Sequence, residues 1–142
     1  MDDVEYMDIA LEQAKIAYAL NEVPVGAIVV KDGVVISKAY NRRENDKNVT
    51  RHAEIIAIEE ACRKLDSWRL DGCCIYTTFE PCMMCMGAIM ESRISRLVYG
   101  VKKVGNYFPG NNFEVVNGIK KDECLELLQV FFENRRWIFP GK

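Results

Sequence analysis

The chain has a single histidine among its 142 residues, so any role that needs an imidazole falls on His52. No apolar run approaches the ~20 residues a helix needs to cross a bilayer, and a membrane-spanning helix is excluded. Neither sign of charge dominates: 19 basic and 21 acidic side chains give a formal net charge of −2. Without a global basic field, any RNA would have to be held by local patches. There is no internal repeat, low-complexity tract or linker, and a chain of this length fits one domain around one core. The acidic start Met1-Asp2-Asp3 is unlike a signal peptide. Six cysteines without an export signal are expected to be thiols in a reducing cytoplasm, serving metal or core and not disulfides.

What is present gathers around the histidine. Arg51-His52-Ala53-Glu54 is followed thirty positions later by Pro81-Cys82-Met83-Met84-Cys85. Zinc takes thiolate and imidazole ligands tetrahedrally, and a catalytic site uses three of them and leaves the fourth position to water. Cys82 and Cys85, three apart on a helix, share one face. Pro81 suits the first helical position, which puts both cysteines in the first turn, where the helix dipole favours thiolates. His52 and Glu54, two apart, would diverge within a regular helix. Both reach one site only if the helix begins at about His52, with Thr50 as N-cap and Ile55, Ile56, Ala57 and Ile58 on the buried side.

A C-x-x-C pair is also compatible with a redox motif or with half of a structural zinc site. A structural site needs a fourth protein ligand, and the other cysteines suit it poorly. Cys73 and Cys74 are adjacent in a strand and point to opposite faces. Cys62 and Cys124 lie in helical stretches and read as small buried hydrophobes. One catalytic zinc per chain on His52, Cys82 and Cys85, with Glu54 as acid/base, accounts for all four residues. The arrangement H-x-E followed by P-C-x-x-C is the signature of the zinc nucleobase deaminases.

Apolar periodicity predicts a first helix over Asp3–Leu20, with Tyr6, Ile9, Ala10, Ala14, Ala17 and Leu20 on one side. Strands at 25–30 and 34–39 flank a hairpin signal, Lys31-Asp32-Gly33. The His52 helix follows, then a strand at 73–79, the Pro81 helix to about Glu91, strands at 96–101 and 114–116, and a final helix from Asp122 to about Arg136. Strands interleaved with helices imply a three-layer α/β/α sandwich on a mixed five-stranded sheet, with the site near the ends of the central strands. The Pro81 helix carries Met83, Met84, Met86 and Met90, more apolar surface than one core contact requires, and a homodimer interface beside the zinc site is expected.

The chain resembles the bacterial tRNA adenosine deaminases of the cytidine deaminase superfamily. The resemblance runs from the first helix to about Arg136. It includes Glu22-Val23-Pro24-Val25-Gly26-Ala27, Tyr40-Asn41-Arg42, the zinc motifs, Trp68-Arg69-Leu70-Asp71-Gly72, Ser92-Arg93-Ile94 and Phe131-Phe132-Glu133-Asn134-Arg135-Arg136. It implies that His52, Cys82 and Cys85 bind zinc and that Glu54 shuttles protons. It implies too that Asn41 hydrogen-bonds the target nucleotide, that Ala53 offers it backbone contacts and that Val25 lines its apolar face. The implied reaction is hydrolysis of the wobble adenosine of a tRNA anticodon to inosine.

One stretch departs from the family. Between Val101 and Phe113 it is shorter than in the relatives, which carry a further short helix before the fifth strand. A parallel crossover needs roughly a dozen residues or more, so either this one is minimal or the fifth strand pairs differently. Lys102-Lys103 beside Tyr107 and Phe108 combines charge with aromatics, as suits a splayed single-stranded loop, and Phe132 and Arg135 are further candidate nucleic-acid contacts. Two alternatives stand beside the tRNA reading: a deaminase of a free nucleobase, nucleoside or nucleotide, and a non-catalytic zinc-stabilised partner subunit. Retention of Glu54 speaks against the second.

Overall fold

The computed structural model describes residues 1–103 and 113–138, the last four by their backbone. In chain order the elements are α1 (Asp3–Ala19), β1 (Gly26–Lys31), β2 (Val34–Tyr40), α2 (Ala53–Leu65), β3 (Cys73–Phe79), α3 (Met83–Glu91), β4 (Arg96–Val101), β5 (Glu114–Val116) and α4 (Lys121–Ile138). The strands form one mixed sheet in the order β2-β1-β3-β4-β5. β1 is antiparallel to both β2 and β3, whereas β3–β4 and β4–β5 are parallel. The fifth strand is therefore parallel, pairing Arg96, Leu97 and Val98 with Glu114, Val115 and Val116. Of the connection that makes this possible, residues 104–112, including Tyr107 and Phe108, lie outside the described residues.

The β1–β2 turn needs two residues at positive φ, and Asp32 (50°) and Gly33 (76°) supply them. Period-two alternation then divides the central strands between two cores. Ala27, Val29, Ile75 and Leu97 face α2 and α3. Ile28, Val30, Tyr76 and Val98 face α1 and α4. Buried on both sides, β1 is apolar from Ala27 through Val30. Cys73 joins the first core and Cys74 packs against the second, as their adjacency in a strand requires. The expected three-layer α/β/α sandwich is the observed fold.

Helix α1 opens on a capping box in which Asp2 accepts from the Glu5 N–H at 2.9 Å and Glu5 accepts from the Asp2 N–H. It buries Tyr6, Ala10, Ala14 and Ala17 as expected, together with Met7 and Leu11. Leu20 is not on that face; it is the C-cap, where the helix has already ended, and it is exposed. The helix lies so close to β1 that a Cβ on Gly26 would sit 2.0 Å from the Ala10 carbonyl oxygen. At this approach of helix to strand only glycine fits. Among the described residues no helix is long and apolar enough to cross a membrane.

Candidate active site and metal centre

Helices α2 and α3 lie on the same face of the sheet and begin side by side. The residue that caps each one is a candidate ligand. His52 is the N-cap of α2, with extended backbone at φ −74° and ψ 151°, and Cys82 is the N-cap of α3, at φ −69° and ψ 175°. Neither side chain caps its own helix. Each residue begins the helical ladder through its carbonyl, which accepts from Ile56 and Met86 at 3.1 and 2.8 Å, and its side chain is left for the site. The expected N-cap at Thr50 is displaced by two residues, because Thr50 turns back on Asn48, donating its hydroxyl and its N–H to the Asn48 side chain. Pro81 likewise precedes the N-cap and is not the first helical residue, since α3 starts at Met83.

The His52 Nδ1 atom stands 3.7 Å from Cys82 Sγ and 3.5 Å from Cys85 Sγ. All three ligand atoms lie within 4.8 Å of one another and form a group able to hold a metal ion. Tetrahedral zinc with bonds of about 2.3 Å to sulfur and about 2.05 Å to nitrogen requires a sulfur–nitrogen separation of about 3.6 Å. Both nitrogen–sulfur spacings fit. Two sulfurs and an imidazole are the donors of a borderline-soft cation and not of magnesium or calcium, which take oxygen.

Glu54 is the second residue of α2, in its first turn, 4% exposed and facing the Cys85 sulfur. Burial pushes its carboxyl up to about 7, offset in part by its backbone hydrogen bond and by Cys85. Burial also raises the Cys85 thiol, and the Glu54 and Cys82 charges add to that effect. His52 is lowered, first by burial and then by the Arg43 charge. A divalent cation held here would oppose the upward shifts of Glu54 and Cys85 and would favour the neutral imidazole that burial already favours at His52.

A cavity of about 150 Å³ opens beside the triad. Its walls include Val25, Asn41, His52, Ala53, Glu54, Cys82 and Lys103, all singled out from the sequence, together with Val23, Arg43, Phe79 and Glu80, which were not. Phe79 and Glu80 end β3 immediately before Pro81-Cys82, so adjacency to the ligand motif was the signal for them. Asn41 is 8% exposed; its Nδ2 donates to the Val23 carbonyl and its Oδ1 accepts from the Arg43 N–H, both at 3.1 Å. Those bonds leave one amide hydrogen and one lone pair free to meet a ligand.

Of the other candidate contacts, Lys102 and Lys103 are exposed, and the Lys103 N–H donates to Glu80 Oε1 at 2.9 Å. Phe132 is exposed on α4, edge-on to Phe131, and does not line the cavity. The side chain of Arg135 lies outside the described residues. Cys62 is partly exposed and packs at the margin of the α2 core, and Cys124 is buried against α1. Neither approaches the triad as a fourth ligand.

Residues 1–136 match the MafB19-like deaminase family. The tRNA-specific adenosine deaminase of Bacillus subtilis is 40% identical over 94% of this chain and 91% of its own. That of Aquifex aeolicus is 43% identical over 92% and 94%. Among solved structures, a tRNA deaminase studied for A-to-I editing at the wobble position superimposes with a TM-score of 0.83 at 38% identity, covering 87% of this chain and 99% of its own. A guanine deaminase from Bacillus subtilis superimposes at 0.69 with 35% identity, over 72% of this chain and 66% of its own.

Proposed function

This chain belongs to the tRNA-specific adenosine deaminases of the MafB19-like deaminase family, and from that premise we propose that it hydrolyses the wobble adenosine of a tRNA anticodon to inosine. A buried Glu54 beside a zinc-sized triad, on the wall of a cavity of about 150 Å³, is the observation that carries the proposal. The whole chain acts as a single deaminase domain with one zinc on His52, Cys82 and Cys85. It works in the cytoplasm as a homodimer.

Zinc, when bound, lowers the pKa of water from 15.7 to about 7 and so supplies the nucleophile at neutral pH. The protein does the rest. Val25 lies against the face of the base, Ala53 offers its backbone, and Asn41 uses its remaining amide hydrogen and lone pair to fix the nucleotide's orientation. Glu54 accepts a proton from the attacking water and delivers it to the ring nitrogen, which makes the amine-bearing C6 carbon electrophilic. The new C–O bond forms at C6; Glu54 then takes the remaining proton of that hydroxyl and passes it to the amine as the C–N bond breaks, leaving inosine and ammonia. A buried carboxylate is suited to carry the two protons in turn without losing either to bulk water. An unpaired anticodon base is cheap to extrude into such a cavity. Lys103 at the rim and Arg43 beside it meet the flanking backbone.

Inosine formation in an anticodon stem-loop, followed by ammonia release, tests the proposal directly. The Glu54→Ala variant is expected to lose about 10³-fold in kcat; full activity in that variant would overturn the role of Glu54. The likeness to a guanine deaminase favours a second reading, action on a free base or nucleoside. Turnover of a nucleoside panel with none on the stem-loop decides for it.

A further inference from the structure

Glu22 is fully buried, yet it belongs to none of the groups that face the metal or line the cavity. Its carboxylate is spent on one short stretch of chain. Oε1 accepts from the Glu44 N–H at 3.0 Å, and Oε2 accepts from the Asn45 N–H and Asn45 Nδ2 at 2.6 and 2.7 Å. Asn45 Nδ2 also donates to the Leu20 carbonyl. Residues 43–50 are all exposed, so no buried apolar side chain among them holds this stretch in place. Its order comes from polar ties, and besides the neighbouring Asn41, which accepts from the Arg43 N–H, Glu22 reaches it from the protein interior.

The held stretch continues directly from the cavity wall. Asn41 and Arg43 line the cavity from one side, and Val23 and Val25, next to Glu22, line it as well. The two segments are laced together: the Asn41 N–H donates to the Val25 carbonyl at 3.0 Å, Asn41 Nδ2 donates to the Val23 carbonyl, and the Arg43 N–H donates to Asn41 Oδ1. Glu22 anchors the far end of that lacing. We infer that Glu22 is a positioning residue for substrate recognition, fixing the 41–45 turn so that Asn41 and Arg43 are presented to the base before it arrives. The inference rests on the deaminase reading of the same cavity.

Chemistry explains why the anchor is a carboxylate. Three N–H donors converge on it, and an ionised carboxylate is acceptor-only, with lone pairs for all of them. Glutamine keeps one acceptor oxygen and turns two hydrogens towards the same donors. Alanine leaves two backbone N–H groups without their buried acceptor.

The test compares wild type with Glu22→Gln, Glu22→Ala and Asn45→Ala as zinc-loaded enzymes on an anticodon stem-loop. KM is expected to rise about tenfold or more in Glu22→Ala, with a smaller rise in Glu22→Gln, while kcat stays within about threefold, the pattern of lost ground-state recognition. Amide exchange at Glu44 and Asn45 should quicken in both Glu22 variants, with zinc still at one per chain. Faster exchange with an unmoved KM, or a fall in kcat alone, overturns the positioning role. If Glu22→Ala does not fold, Glu22→Gln and Asn45→Ala decide, since Asn45 is exposed and its removal deletes one donor. A wild-type enzyme that ignores the stem-loop and deaminates a free nucleoside defeats the tRNA reading, and the same KM comparison on that nucleoside then decides the role of Glu22.

Discussion

His52 Nδ1 lies 3.5 Å from Cys85 Sγ although 33 residues separate them in the chain. Neither residue chooses the other locally. The contact exists because β2 hands the chain to α2 and β3 hands it to α3 on one face of the sheet, where Ala53, Ala57, Met86 and Ile89 share a core. The two helices start together, and their positive ends converge on the two thiols and the Glu54 carboxylate.

That convergence makes a metal-binding prediction. One zinc per chain is expected by elemental analysis of the purified protein, and Cys82→Ser and His52→Ala should each fall well below that. Because binding to the folded state alone adds stability, about 4 kcal/mol at a thousandfold excess over Kd, chelation should lower the melting temperature by several degrees. A Cys82→Ser protein that retained a full zinc would show the ligand set to be wrong.

Much of this was legible beforehand, and what was missed has a common cause. Periodicity located the helices and strands because burial enforces it; β3, β4 and β5 begin and end where alternation predicts. The demand that His52 and Glu54 share a site placed the start of α2 correctly, whereas propensity misplaced its cap at Thr50. Capping preference is a local rule, and here the cap positions are taken by groups committed to the site. Cys82 displaced Pro81 for the same reason. Glu22, Phe79 and Glu80 were not recognised because their roles arise only when segments distant in sequence meet.

The tie between the first helix and the sheet should be visible in acid. Asp3 forms two bonds to Arg96, at 2.7 and 2.8 Å, and accepts the Tyr76 hydroxyl at 2.6 Å. The Arg96 guanidinium, first through its hydrogen bonds, holds the Asp3 carboxyl below its usual value of 3.8, with Tyr76 adding to it and burial opposing. A carboxyl depressed in the folded state contributes stability above its unfolded pKa and loses it as pH falls through the folded one. Asp3→Asn should therefore cost about 1 kcal/mol at neutral pH, a figure discounted for partial exposure. The gap from wild type should close below about pH 4. Equal offsets at pH 7 and pH 3 would contradict the tie.

Gly26 offers a sharper mechanical test. Its missing side chain is what lets α1 settle on β1, where an added Cβ would meet the Ala10 carbonyl at 2.0 Å and the Ala14 nitrogen at 2.6 Å. Backbone cannot step aside as a flexible side chain can, so Gly26→Ala should destabilise by about 3 kcal/mol or more. That corresponds to a fall of about 10 °C in melting temperature. Gly33→Ala is the control, for its Cβ would meet nothing and only the positive φ of 76° resists it; its cost should stay near 1 kcal/mol. Similar losses in both variants would show that close approach is not what selects Gly26.

The methionines of α3 divide in a way that bears on assembly. Met86 is buried at 4%, while Met83, Met84 and Met90 are exposed at 81%, 37% and 40%. Only one of the four is used by the core, so the helix that starts at the two candidate ligand cysteines presents an apolar, adaptable surface to its surroundings. In the proposed homodimer that surface is the contact between two copies, and burial there would also steady the start of α3, where Cys82 and Cys85 sit. Sedimentation at micromolar concentration should show a dimer. Met83→Glu and Met90→Glu together should weaken it by about 100-fold or more, since each buried charge without a partner costs more than a tenfold change in affinity. If the wild-type chain sediments only as a monomer, the exposed methionines do not join two copies and the dimer is refuted.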